Sequence, residues 1–158
     1  MAAGRTLQVD FHSGVTDKVG HACRLLRKAV RQGARVQVCG EPAELDALDQ
    51  ALWTFDPQDF IPHLRWRNHE APAPGLHRTP VWLVASGQPW PTGLPRPAVL
   101  VNLGPQAPQA QDLSPPVARV VEIVGHDPGE VEAGRRRWRH YAQSGLEPTH
   151  HKFAREEA

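Results

Sequence analysis

The residues best spaced for recognition chemistry stand near the end of the chain. Val131, Arg135, Trp138 and Arg139 fall at i, i+4, i+7 and i+8, so a helix would gather them on one face. Two guanidinium groups beside an aromatic ring can receive an acidic peptide with an apolar anchor. The guanidinium holds a carboxylate bidentately while the ring covers an apolar side chain. The same residues suit two other readings. Trp138 can be a core residue with the arginines on a solvated face, or the basic and aromatic surface can stack single-stranded nucleic acid. A second candidate joins Trp53 to Phe60-Ile61-Pro62, where a helix ending in an aromatic runs into an apolar loop. Such a loop either closes the core or anchors a partner.

Catalytic groupings are not legible. The nine histidines form neither HExxH nor a paired Cys/His zinc spacing, and they read as exposed side chains. His150 and His151 are adjacent, so in an extended chain they do not aim at one metal. Ser13, Ser86, Ser114 and Ser144 lack a nucleophile elbow. The acids of residues 41–59 read as a solvated helix face, and Cys23 and Cys39 as reduced, buried thiols. The junction Asp10 to Asp17 has one glycine where a dinucleotide fingerprint needs three, there is no Walker A sequence, and its two aspartates would repel phosphate. No catalytic residue, cofactor or metal is therefore expected. No apolar run approaches membrane-spanning length and the start lacks a long apolar signal core, so a cytoplasmic protein with no membrane contact is expected.

Positioning these residues requires an α/β scaffold. Leu7, Val9 and Phe11 alternate as on a strand, with Ser13-Gly14 as the turn after it. Val19, Ala22, Cys23, Leu26, Ala29 and Val30 trace one face of a helix capped by Thr16 or Asp17 and stopped at Gly33. Val36 to Cys39 reads as a strand and Ala43 to Trp53 as a helix with Leu45, Leu48 and Leu52 inward. Residues 55–80 read as a long loop. Three apolar runs, Val81–Ala85, Ala98–Leu103 and Arg119–Val124, read as strands covered on both faces. Thirteen of the sixteen prolines lie between Pro57 and Pro116, which excludes helices there. A last helix is predicted from Pro128 to Ser144 with Asp127 as N-cap and Gly145 beyond its end. The sum is a three-layer α/β/α, Rossmann-like fold with about five mainly parallel strands. Residues 1–150 form one domain and residues 151–158 a tail.

The net charge of +1 hides a polarised layout. Residues 18–35 hold six basic side chains and no acid, and residues 36–64 hold six acids and no Lys or Arg. The near-neutral total argues against a protein whose main ligand is the DNA backbone.

The order of motifs resembles the chi subunit family of bacterial DNA polymerase III. The carrying residues are Arg31-Gln32-Gly33-Ala34-Arg35-Val36, Leu45-Asp46-Ala47-Leu48-Asp49-Gln50-Ala51-Leu52-Trp53, Phe60-Ile61-Pro62-His63, and the stretch from Arg135 to Leu146. The resemblance implies a non-catalytic replication adaptor. It would bind the acidic C-terminal tail of single-stranded-DNA-binding protein, and through it touch single-stranded DNA indirectly. It would also bind the psi subunit of the clamp loader, and a helicase. Matched residue by residue, Arg135, Trp138 and Arg139 correspond to the tail-binding helix. Val131 replaces a basic residue there, removing one charge. Phe60 with Ile61 and Pro62 corresponds to the loop for psi and the helicase, and Trp53 to the family's helix-ending Trp. The alternatives from residues alone are a nucleotide-binding α/β enzyme, with its ligand near residues 12–17, and a direct single-stranded DNA binder.

Overall fold

In the computed structural model, which describes residues 7–58, 60–67, 73 and 75–153, seven strands form one sheet. In chain order they are β1 (Gln8–Val15), β2 (Val36–Gly40), β3 (His63–Trp66), β4 (Val81–Ala85), β5 (Val99–Asn102), β6 (Arg119–Gly125) and β7 (Thr149–Lys152). Their order across the sheet is β3-β4-β2-β5-β6-β1-β7, and every neighbouring pair is parallel. Parallel neighbours need crossover connections, three of which contain helices. These are α1 (Lys18–Arg31), α2 (Pro42–Thr54) and α3 (Pro128–Gln143).

The layers follow from the alternation of side chains along the strands. Val36, Val38, Leu83, Val101, Val121 and Ile123 meet Ala22, Cys23 and Leu26 of α1 and Leu45, Leu48 and Leu52 of α2 on one face. The opposite face carries Val9, Phe11, Leu100, Val120 and Val124 beneath Tyr141 of α3. On that same face Trp66, Trp82 and Val84 of β3 and β4 are covered by Trp90 and Leu94 from the Pro-rich connection. The expected three-layer, Rossmann-like fold is therefore present, with seven strands where about five were expected.

Both additional strands are four-residue edge strands. β3 lies within the stretch read as a loop, residues 55–80. β7 reads Thr-His-His-Lys, with no apolar residue, and all four residues are exposed. An edge strand with no apolar side chain on either face carries no hydrophobic periodicity to read. β7 also runs across the boundary drawn at residue 150, so the sheet extends into the stretch read as a tail. Ser13-Gly14 is not the end of β1. The strand continues to Val15 through a register irregularity, with Gly14 at φ +70°.

The helix signals match their ends closely. The Asp17 side chain accepts from the Gly20 amide at 3.0 Å, and Asp127 accepts from Glu130 at 2.8 Å. Gly33 and Gly145 have positive φ just beyond α1 and α3. Between Pro57 and Pro116 the only helical turns among the described residues are two short 3-10 segments, Leu76–Arg78 and Ala110–Leu113.

Candidate functional site

α3 lies close to β6. An ideal Cβ on Gly134 would fall 2.9 Å from Cγ1 of Val124, so only glycine allows this approach without displacement. Beside Gly134, Ala133, Arg137 and Tyr141 are buried against the sheet. The adjoining face holds the four predicted residues. Arg135 and Arg139 are exposed, and no described carboxylate pairs with either. Val131 and Trp138 are half-buried. The Trp138 ring rests on Phe11 of β1, centroids 5.0 Å apart, and meets His150 of β7 edge-on at 6.1 Å. The ring is thus fixed from below by the sheet, and part of it stays exposed on the helix face that carries Arg135 and Arg139. Trp138 combines both readings of it, as a partial core residue and a surface ring.

Arg137 belongs to a different structure. Its Nε donates to Glu122 Oε1 at 2.7 Å, and the two side chains are 3% and 0% exposed. Tyr141 donates to Glu122 Oε2 at 2.7 Å, and Asn102 Nδ2 lies 3.0 and 3.2 Å from the two carboxylate oxygens. Burial raises the Glu122 carboxyl above the usual range, and Arg137, Tyr141 and Asn102 oppose that rise. This cluster fixes α3 in rotation on the sheet and turns Arg135 and Arg139 outward. The sequence carried a signal for it: Glu122 is the one acid inside the apolar run of β6, and a buried acid needs a partner.

At the far end of the sheet, Trp53 is 62% and Phe60 50% exposed, with ring centroids 5.2 Å apart. His63 stacks edge-on with Trp53 at 5.1 Å. Its Nδ1–H donates to the Ile61 carbonyl at 2.7 Å, since a carbonyl only accepts. Its Nε2 stands 3.0 Å from Asp49, an ion-pair distance without hydrogen-bond alignment. Ile61 is 2% exposed and joins the core under α1 and α2, whereas Pro62 is exposed. The apolar loop therefore divides its work: Ile61 closes the core and holds Phe60 and Pro62 outward.

The acids of α2 and the loop after it do more than face solvent. Asp46 accepts from Arg65 at 3.0 Å and Arg67 at 2.8 Å, which hold its carboxyl below the usual range, Arg67 most strongly. Asp56 pairs with Arg27 at 3.1 Å. Lys18, counted among the basic face of α1, is spent inside. Its Nζ bonds Glu44 at 3.0 Å, the Leu103 carbonyl at 2.7 Å and Glu130 at 3.1 Å, joining the starts of all three helices.

The histidines also depart from the expectation of exposed side chains. His12 is 8% exposed, and its Nδ1 lies 2.8 Å from Nε2 of half-buried His21. Desolvation and the neighbouring His21, His151 and Arg119 lower its pKa to about 4. Phe153 covers both rings, at 4.9 and 4.6 Å. His151 bonds Asp10, which also pairs with Arg119 at 2.8 Å. No group of three or more His, Cys, Asp or Glu among the described residues is arranged to hold a metal. Cys23 and Cys39 are free and buried.

The fold and these surfaces define a Rossmann-like α/β domain that offers a cationic, aromatic helix face at one end and an exposed aromatic pair at the other. The family model described as DNA polymerase III chi subunit, HolC, matches residues 7–149. The DNA polymerase III subunit chi of Pseudomonas aeruginosa is 36% identical over 136 residues, 85% of each chain. The chain belongs to the DNA polymerase III chi subunit family, and with it to the accessory subunits of DNA replication. No helix among the described residues is long and apolar enough to cross a membrane.

Proposed function

We propose that the protein is a non-catalytic adaptor of the replication machinery, linking the acidic C-terminal tail of single-stranded-DNA-binding protein to the clamp loader through a psi subunit. The observation that carries this reading is the pair of exposed guanidinium groups, Arg135 and Arg139, unpaired among the described residues, beside the partly open Trp138 ring. The tail's carboxylates meet the arginines and its apolar terminus lodges against Trp138 and Val131. Val131 supplies apolar contact where the family resemblance implies a basic residue, so the site rests on Arg135 and Arg139. A contact of this size suits micromolar affinity, about 8 kcal/mol.

The second partner surface is the Trp53–Phe60 pair with Pro62, held in place by buried Ile61 and by His63. Two large apolar rings in mutual contact yet exposed are suited to docking psi, or a helicase that competes for the same loop. The two surfaces lie at opposite ends of the sheet, so both can be engaged at once in the cytoplasm, with single-stranded DNA reached indirectly. A pull-down with single-stranded-DNA-binding protein, intact and lacking its last residues, tests the reading. Capture of the intact form alone is expected, and equal capture of both refutes it.

A further inference from the structure

A cleft of about 760 Å³ opens on the α1 side of the sheet, away from the α3 face and from Trp53 and Phe60. Its size is that of small-molecule sites. The cleft runs between α1 and the edge of the sheet at β1, where Asp10, His12 and His151 share this face and His21 of α1 meets His12. Arg24 and Lys28, one turn apart on α1, stand at its rim with no described carboxylate paired to them. Leu25, Ala29 and Val99 make an apolar wall, and His12, His21 and Phe153 close the other end.

The two aspartates that would repel a phosphate here are already engaged. Asp10 is held by Arg119 and His151, and Asp17 caps α1. Asp17 keeps its charge as a cap, so against it Arg24 and Lys28 leave one net positive charge at the cleft. The His12–His21 bond uses one nitrogen of each ring. The other nitrogen of each has no described partner, beside a Phe153 ring that is 39% exposed. The occupant must therefore bring an anion to the rim and a flat group with a polar edge to the rings.

We propose that this cleft binds a nucleotide, free or as a unit of a single strand, with phosphate at Arg24 and Lys28 and the base against Phe153, His12 and His21. An acidic peptide would satisfy the rim but leave the imidazole nitrogens unused.

The test titrates the full chain at low salt with deoxythymidine monophosphate and, separately, with a dye-labelled oligothymidylate. The His12 and His21 ring resonances and fluorescence anisotropy are followed. Saturable shifts of both rings are expected. Arg24→Glu with Lys28→Glu should weaken binding at least tenfold without changing affinity for an acidic tail peptide, and Phe153→Ala should weaken it several-fold. If the oligomer binds much tighter than the monophosphate, with a log–log salt slope of about 0.7 per phosphate, the ligand is a single strand. If the two bind alike, it is a free nucleotide. The proposal is overturned if neither ligand shifts the two rings. It is also overturned if the α1 charge reversals leave binding intact, if Arg135→Glu with Arg139→Glu removes it instead, or if the acidic peptide is what moves His12 and His21.

Discussion

Replacing Arg137 by leucine tests whether the buried Glu122 cluster sets the attitude of α3. Arg137 and Glu122 are 3% and 0% exposed, so neither charge has water to fall back on. Removing one partner of a buried pair costs about 3–5 kcal/mol. Asn102 and Tyr141 still donate to the carboxylate, which puts the expected loss at the lower end, about 3 kcal/mol. With a urea m-value of about 2 kcal/mol per molar, the unfolding midpoint should fall by roughly 1.5 M. The loss should also depend on pH. Burial already raises the Glu122 carboxyl, and without Arg137 it rises further. The folded state then keeps a proton that the unfolded state has lost, so stability falls as pH rises from the unfolded value through the folded one. The deficit should be smaller at about pH 5 than at about pH 8. Adding Glu122→Gln to Arg137→Leu should recover at least about 1 kcal/mol and flatten that pH dependence. A deficit below about 1 kcal/mol in the single variant, or one that is equal at the two pH values, refutes the reasoning.

Three further outcomes are expected. Gly134→Ala gains about 1 kcal/mol of helix propensity but drives its Cβ into Val124, so a net loss of about 1–2 kcal/mol should appear in urea melts, with weaker tail binding. His12, whose folded pKa is lowered to about 4, should make the protein lose stability as pH falls from the unfolded value near 6.5 toward that value, by roughly 3 kcal/mol in all. The slope in that window should diminish in His12→Gln, and an unchanged slope contradicts the assignment. Trp53→Ala and Phe60→Ala, at exposed positions, should change stability by no more than about 1 kcal/mol while removing capture of psi. Retained capture places that partner elsewhere.

Most of the scaffold could be read because its signals are local. Val81–Ala85 is continuous and apolar because β4 is covered on both faces, and the caps at Asp17 and Asp127 and the stops at Gly33 and Gly145 are single-residue devices. β3 and β7 were illegible because edge strands of four residues bury little, and no residue of β7 is itself buried. The helix face at Arg135, Trp138 and Arg139 was readable from spacing. Of the partners that direct it outward, Glu122 left a mark as the one acid in an apolar run, but its pairing with Arg137 did not. Glu122 meets Arg137 across fifteen residues, Lys18 meets Glu130 across 112, and His12 meets His151 through a strand that the sequence did not reveal. Long-range ion pairs leave no period behind. The uniform count of basic residues on α1 and α3 therefore concealed that Lys18 and Arg137 are structural while Arg24, Lys28, Arg135 and Arg139 remain available.

The central claim is that Arg135 and Arg139, with Trp138 beside them, receive an acidic tail. The most direct measurement is anisotropy of a dye-labelled peptide bearing the last residues of single-stranded-DNA-binding protein, titrated with the wild-type chain and with Arg135→Ala and Arg139→Ala. These exposed substitutions leave the fold intact. Each should weaken binding by about 1.5–3 kcal/mol, more than tenfold, and the wild-type affinity should fall as salt rises. Binding that is unchanged in both variants, or indifferent to salt, would contradict the account.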